Sequence, residues 1–220
     1  MTDPKQIVRA GYDAVSHAYR ADDAGEGPYR AWLAWLDAHL APGAAVLDLG
    51  CGCGVPTARI LAERYAVTGV DLSPVQIARA RDLVPDATYV CADMVAFDPG
   101  ENQYGAIVCL YAIIHVPLAE QVGLIERMCS WLTPGGQLLL TVGHGAWTGT
   151  EADWLGVPGG TMYWSHADAA TYRVWLVACG LWLAAAPSCA TISSRRATGA
   201  TRSCWRSAGE ISCCRGGTPC

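Results

Sequence analysis

The residues best suited to chemistry stand at the ends of three short apolar runs. The first run ends in VLDLGCGCG, which puts Asp48, Gly50, Cys51, Gly52, Cys53 and Gly54 at the turn into a helix. Glycines there let the backbone approach a ligand closely and adopt conformations that a side chain would block. The second run ends in TGVDLSP, and its Asp71 follows the glycines by about 20 residues, where a carboxylate can accept two ribose hydroxyls. The third ends in CADM and offers Asp93. Such groups at the C-terminal ends of three successive parallel strands line one crevice, the place where open α/β sheets bind ligands. A nicotinamide site would call for G-x-G-x-x-G, whereas Gly50, Gly52 and Gly54 run G-x-G-x-G with Val55 at the last position.

Proton transfer near neutral pH points to histidine. His144 follows the fifth apolar run on a loop directed at the crevice and is the first candidate for a general base. His115, just before Pro117 near a helix start, is the second. His166 sits close to Tyr163 and Trp164 and either touches a substrate or begins the next helix, while His17 and His39 read as structural. Trp147, Trp154 and Trp164 fall in a glycine-rich stretch within reach of a ligand, and aromatic faces there favour a cation. Cys51 and Cys53 read as small residues of a tight turn, since nothing basic beside them would lower a thiol pKa. Asp48 either fixes the turn or meets a ligand amine through water, and the alternative to ligand binding for Asp71 and Asp93 is a helix N-cap.

A regular alternation of elements must position these groups. Residues 3–20 and 28–40 show helical spacing of apolar positions. From Ala44 the chain alternates strands and helices: AAVLDLG, a helix over 57–64, AVTGVDL, a helix over 74–83, ATYVCAD, GAIVCLYA, a helix over 118–132, and GGQLLLTVG. This order predicts an α/β protein with a parallel sheet, and strands apolar throughout predict helices on both faces. Residues 143–165 have few periodic positions and read as a loop over the pocket. A helix over 167–179 ends at Gly180, and LWLAAA is a sixth strand.

Composition sets the outer limits. The 220 residues, 52% hydrophobic and 16% charged, suffice for a well-buried domain and exclude a disordered chain. No apolar window reaches the roughly 18 residues of a membrane span, and MTDPKQIVRAGYD is polar rather than signal-like, which predicts a cytoplasmic protein without a membrane partner. A net charge of −5, with 15 Lys and Arg spread along the chain, argues against nucleic acid. Eleven cysteines, an odd number without paired C-x2-C knuckles, read as thiols rather than as disulfides or a metal site. The partner left is a small molecule, and nothing in the sequence sets an oligomeric state.

Over roughly residues 10–186 these motifs together resemble the class I S-adenosylmethionine-dependent methyltransferases. LDLGCGCG is similar to the family's first motif, VDLSP to the second, CADM to the third, and LYAIIHVP and LTPGGQLLLT to later ones. The resemblance implies a doubly wound, Rossmann-like fold, S-adenosyl-L-methionine as cofactor, and direct in-line methyl transfer to a small molecule. It places Asp48, Gly50, Cys51, Gly52 and Gly54 at the methionine part, Asp71 on the ribose and Asp93 near the adenine amino group. Leu72, Gln76, Ala92, Met94 and Leu110 complete the cofactor site, and Tyr12 and Tyr19 belong to a helix that closes over it. MYWSHADAATY is similar to a subgroup acting on small molecules, with Trp147, Tyr163, Trp164 and His166 as substrate contacts. A base, His144 or His115, is needed only where the acceptor must lose a proton. The competing readings are a cofactor-binding protein without catalysis and, behind it, a nicotinamide oxidoreductase.

The implied divisions are residues 1–43, helices closing over the cofactor; 44–186, the cofactor domain with its substrate loop at 143–165; and 187–220, a tail. From Pro187 the text turns to Ser, Arg, Cys, Thr and Gly with no apolar period. A shifted reading frame leaves such a change, and residues 195–209 re-read two bases on, with permitted synonymous codons, as PGDGGHALLLAQRR. The tail is expected to be irregular, which leaves the sheet's terminal antiparallel strand in question.

Overall fold

Side chains along each apolar run from Ala44 alternate between two faces, and helices bury both. In the computed structural model, which describes residues 3–185 and 191–196, five strands pair in parallel: β1 (Ala45–Leu49), β2 (Ala66–Asp71), β3 (Thr88–Cys91), β4 (Tyr104–Cys109) and β5 (Leu132–Thr141). Leu47, Leu49, Ile107, Cys109, Leu138 and Leu140 enter one core with α5 (Leu118–Trp131) and α6 (Ala169–Ala178). Val46, Ala106, Val108 and Leu139 enter a second with α2 (Tyr29–Leu33), α3 (Thr57–Ala62) and α4 (Pro74–Leu83). The period of two is therefore present but invisible as alternating polarity, because neither face meets water. The second expected helix is shorter than its apolar spacing suggested, since α2 passes into a tighter 3-10 turn at Ala34–Ala38.

The strand order is β3-β2-β1-β4-β5-β9-β8, where β8 is Leu181–Ala185 and β9 is Thr191–Arg196. The chain winds outward from β1 in one direction and from β4 in the other, so a crevice opens where they part. β9 lies antiparallel between β5 and β8. The terminal strand is thus in place, contrary to the irregular tail that composition predicts. Its ladder is made by backbone groups, and β5 and β8 each offer an edge to the polar TISSRR. Positions 186–190 and 197–220, with most of the re-read stretch, lie outside the described residues.

The expected loop at 143–165 contains the strands of a second sheet. β6 (Trp147–Glu151) pairs antiparallel with β7 (Met162–His166). Four of the five β6 positions are exposed, so the strand carries no apolar period by which to recognise it. Helix α1 (Pro4–Tyr19), started by Asp3 as N-cap and Pro4 in its first turn, lies against this hairpin. Gly11 makes the approach possible: a Cβ there would stand 2.3 Å from the Thr161 carbonyl oxygen. Among the described residues no helix is long and apolar enough to cross a membrane.

Gln121, fully buried on α5, fastens the hairpin to the sheet. The two N–H groups of its Nε2 are shared among the carbonyls of Ile113 (3.0 Å), Val116 (2.7 Å) and Ser165 (2.6 Å), and its Oε1 accepts from the Tyr172 hydroxyl. Replacing it by Leu strands several buried polar groups at once, so Gln121→Leu should lower stability by about 2–4 kcal/mol. Urea unfolding checks this, with the midpoint falling and the slope unchanged.

Candidate active site

The turn after β1 hangs on β2. The Gly50 and Cys51 N–H groups both donate to the Val70 carbonyl, at 2.7 and 3.1 Å. Gly50 has φ 75°, and a Cβ there would lie 2.2 Å from that of Ala112 beyond β4, so both conformation and space require glycine. The Asp71 carboxylate joins the two turns: one oxygen accepts the Gly52 N–H at 2.9 Å, the other the Ser73 N–H at 2.8 Å. Burial pushes this carboxyl up to about 6, against the pull of those N–H groups. Behind it Asp48 is 2% exposed, with Oδ2 lacking any hydrogen-bond partner. Burial, and then the charge of Asp71, push Asp48 up to about 8.

Beside these turns opens a cleft of about 690 Å³. Of the residues expected at a cofactor, Gly50, Gly52, Asp71, Leu72, Asp93, Met94 and Leu110 line it, with Tyr12 and Tyr19 of α1 opposite. Asp93 accepts the Val95 N–H at 2.8 Å on one oxygen and the Lys5 ammonium at 2.7 Å on the other. Five expected residues stand behind the wall. Asp48 and Cys51 are buried, and burial with the charges of Asp71 and Asp48 keeps the Cys51 thiol protonated. Gly54 packs toward the Tyr89 hydroxyl, Gln76 accepts from Ser16 of α1 at 2.8 Å, and Ala92 donates its N–H to the Asp71 carbonyl at 2.9 Å.

The histidines exchange rank. His144 is exposed at the start of the connection to β6 and does not line the cleft, because β5 ends before it and the chain turns outward there. His115 lines the cleft and is 6% exposed. Its Nδ1 lies 2.7 Å from the Tyr163 carbonyl and its Nε2 3.0 Å from the Tyr12 hydroxyl. A carbonyl only accepts, so Nδ1 carries the proton, and Nε2 accepts from Tyr12. Burial holds His115 down near 4, so the ring is neutral at physiological pH.

Of the expected substrate contacts, neither Trp164 nor Tyr163 lines the cleft itself; Trp164 packs on His115 with ring centroids 4.4 Å apart, and the Tyr163 carbonyl meets the same ring. Trp147 is 48% exposed on β6, and His166 lies against Gly143, outside the cleft lining. Trp154 meets Tyr12, Tyr19 and Trp164 at 5.5–5.7 Å, making an aromatic wall that spans α1 and the hairpin. Sequence reasoning missed Lys5 and Arg9 in the lining. The available signal was that Lys5 lies three residues from Val8 and Arg9 three from Tyr12, on one helical face. Lys5 also contacts Glu120, and its two carboxylate partners raise its pKa although burial opposes the charge.

The comparisons with known proteins agree with the fold. A family model described as a methyltransferase domain matches residues 46–136. Carboxy-S-adenosyl-L-methionine synthase of Chromohalobacter salexigens is 37% identical over 114 residues, 47% of this chain and 41% of the relative. Trans-aconitate 2-methyltransferase of Delftia acidovorans is 37% identical over 105 residues, 46% of this chain and 38% of the relative. The match thus spans less than half the length of these relatives. Among solved structures, an amino pentose methyltransferase from Micromonospora echinaspora in its SAM-bound form superposes with a TM-score of 0.65 at 21% identity, covering 81% of this chain and 94% of that one. The chain has the class I methyltransferase fold. The match to the methyltransferase domain model takes in less than half of the chain, residues 46–136.

The Asp48 carboxyl makes a stability prediction. Folded, it keeps its proton up to about pH 8, whereas an unfolded aspartate releases it near pH 4. Between those values the folded chain binds more protons, so this group's contribution to stability is greatest below about pH 4 and is lost as pH rises toward 8. Asp48→Asn should therefore lose less stability than the wild type between pH 5 and pH 8, as measured by urea unfolding at both.

Proposed function

We propose that the chain binds S-adenosyl-L-methionine in this cleft and transfers its methyl group to a small-molecule acceptor. The observation that carries the reading is the convergence of Gly50, Gly52, Asp71 and Asp93, from the ends of β1, β2 and β3, on one cavity. The residues present fit the cofactor. A Cβ on Gly52 would meet nothing within 4 Å, so that backbone faces open space a ligand can fill. Asp71 uses two of about four lone-pair positions on its own turns, leaving two for a ribose diol. Asp48 stands behind this floor with Oδ2 unpartnered, where a water can link its carboxyl to a ligand ammonium.

When bound, the cofactor supplies a methyl group already activated by a positive sulfur. The chain's own part is to orient the acceptor and exclude water. Tyr12 and Tyr19, backed by Trp154 and Trp164, supply an aromatic wall for an acceptor with an apolar or flat body. The Tyr12 hydroxyl, held neutral by burial, and Nε2 of His115 form the polar point against which the accepting atom is set. If a proton must leave, it passes to the Tyr12 hydroxyl as that hydroxyl gives its own to Nε2 of His115, and the Tyr163 carbonyl steadies Nδ1–H as charge develops. In the same reading residues 1–43 close over the cofactor, 44–186 hold it, and the hairpin within 143–165 walls the acceptor. A cytoplasmic setting without a nucleic-acid partner belongs to the same proposal, on the net charge of −5 and the odd cysteine count.

Heating the purified chain with S-adenosylhomocysteine tests the reading first, with NAD as control. A melting temperature raised by S-adenosylhomocysteine alone, and raised much less in Asp71→Asn, supports it; indifference to S-adenosylhomocysteine overturns it. Binding without transfer to any acceptor in a panel of small phenols, amines and carboxylic acids would mark a non-catalytic binder.

Two kinetic outcomes follow once an acceptor is in hand. His115→Ala and Tyr12→Phe should each lower kcat/KM by about a hundredfold, with the double variant little worse, because the two groups act as one unit. A neutral His115 down to about pH 4 puts the acid limb of the rate profile below pH 5, not near the 6.5 of an ordinary histidine.

A further inference from the structure

Helix α1 is fastened to the fold very differently at its two ends. Near its C-terminal end, buried Arg79 of α4 donates to the Ser16 hydroxyl and the Arg20 carbonyl, both at 2.7 Å, and pairs with Asp22, while Ser16 donates to Gln76. The first turn reaches the fold through Lys5. Its ammonium lies 2.7 Å from Asp93 Oδ2, at the end of β3, and against Glu120 Oε2, in the first turn of α5. Its side chain is 20% exposed and both carboxylates belong to elements other than its own.

We infer that Lys5 is the positioning residue that holds the first turns of α1 shut across the cleft, with Asp93 and Glu120 as its two anchors. The inference rests on the reading of the cleft as a cofactor site. An exposed ion pair contributes little, but here one ammonium is shared by carboxylates from two separate elements, and losing it would leave like charges side by side. The helix so held carries Tyr12 two turns further on, whose hydroxyl lies 3.0 Å from His115. The ion pair therefore fixes the polar point of the site.

Two half-buried ion pairs of ordinary strength together correspond to about a tenfold change in an equilibrium. The test combines stopped-flow release of S-adenosylhomocysteine with hydrogen exchange of the α1 amides in ligand-free protein, for Lys5→Met and Glu120→Gln. Glu120 does not line the cleft, so its variant loosens the helix without touching a proposed cofactor contact. Both variants should release the ligand about tenfold faster and exchange residues 4–12 faster, and Lys5→Arg should restore both. Glu120→Gln should raise the KM for S-adenosylmethionine by about the same factor with kcat changed less than twofold, since saturating cofactor closes the helix. General damage to the fold would not give that split. Unchanged release and exchange in both variants would overturn the inference. If the wild type ignores S-adenosylhomocysteine, the cofactor reading fails, while exchange of α1 in the ligand-free variants still decides the role of Lys5.

Discussion

The carboxylate of Asp71 ties the turn after β1 to the turn after β2, and the shape of the cleft follows from that group. The register sets Leu49 beside Val70, so Gly50 and Asp71 leave the sheet side by side. Once Gly52 and Ser73 donate to Asp71, both turns are fixed in the plane of their own N–H groups. Burying a carboxylate opposes its charge, which is why its pKa rises despite two donors. The arrangement persists because the same N–H groups would otherwise be orphans at turns and a helix start. Gly50 extends the constraint to a third strand, for only without a Cβ can Ala112 come so close.

A second layer is built on this floor from parts far apart in sequence. Gly11 lets α1 lie against Thr161, and Gln121 holds Ser165 of β7 to the turn that carries His115. The hairpin then contributes a backbone atom to the site: the Tyr163 carbonyl accepts a hydrogen bond from Nδ1–H of His115, which leaves Nε2 to accept from Tyr12. Helix, hairpin and strand end thus set one tautomer together. A small displacement of the hairpin would alter the protonation geometry of a ring it does not carry.

The sequence made the sheet legible because βα alternation and the glycine turn are local signals. Strands β1 to β5, the helices between them, and the carboxylates at their ends all fall within short windows of text. The lid and the base do not. His144 looked better placed than His115 because it directly follows a strand, yet the direction of a side chain leaving a strand end depends on the turn there, and the hairpin turns it outward. His115 draws its role from Tyr12 and Tyr163, 103 and 48 residues away, and no periodicity encodes such a contact. Lys5 was overlooked for a related reason: a lysine on an amphipathic helix ordinarily faces water, and only the closure of α1 brings it to two carboxylates.

The last strand separates two requirements that most strands meet together. Pairing in a sheet is a property of the backbone, and β9 finds partners on both sides, along Gln137 to Thr141 and along Leu181 to Ala185. Burial energy is a property of side chains, and TISSRR offers one large apolar residue where the parallel strands offer two to four. Hydrogen bonding alone adds little net stability per bond, so a strand of this composition leaves its flank of the sheet with less to hold it than β1 or β4 has. The cleft draws on neither β8 nor β9, since its floor comes from β1, β2, β3 and β4. The weakest-written part of the sheet therefore stands at the opposite end of the strand order from β2 and β3, where the two carboxylates of the site emerge. A loss of pairing at β9 would act on the site only through β5 and the hairpin that follows it.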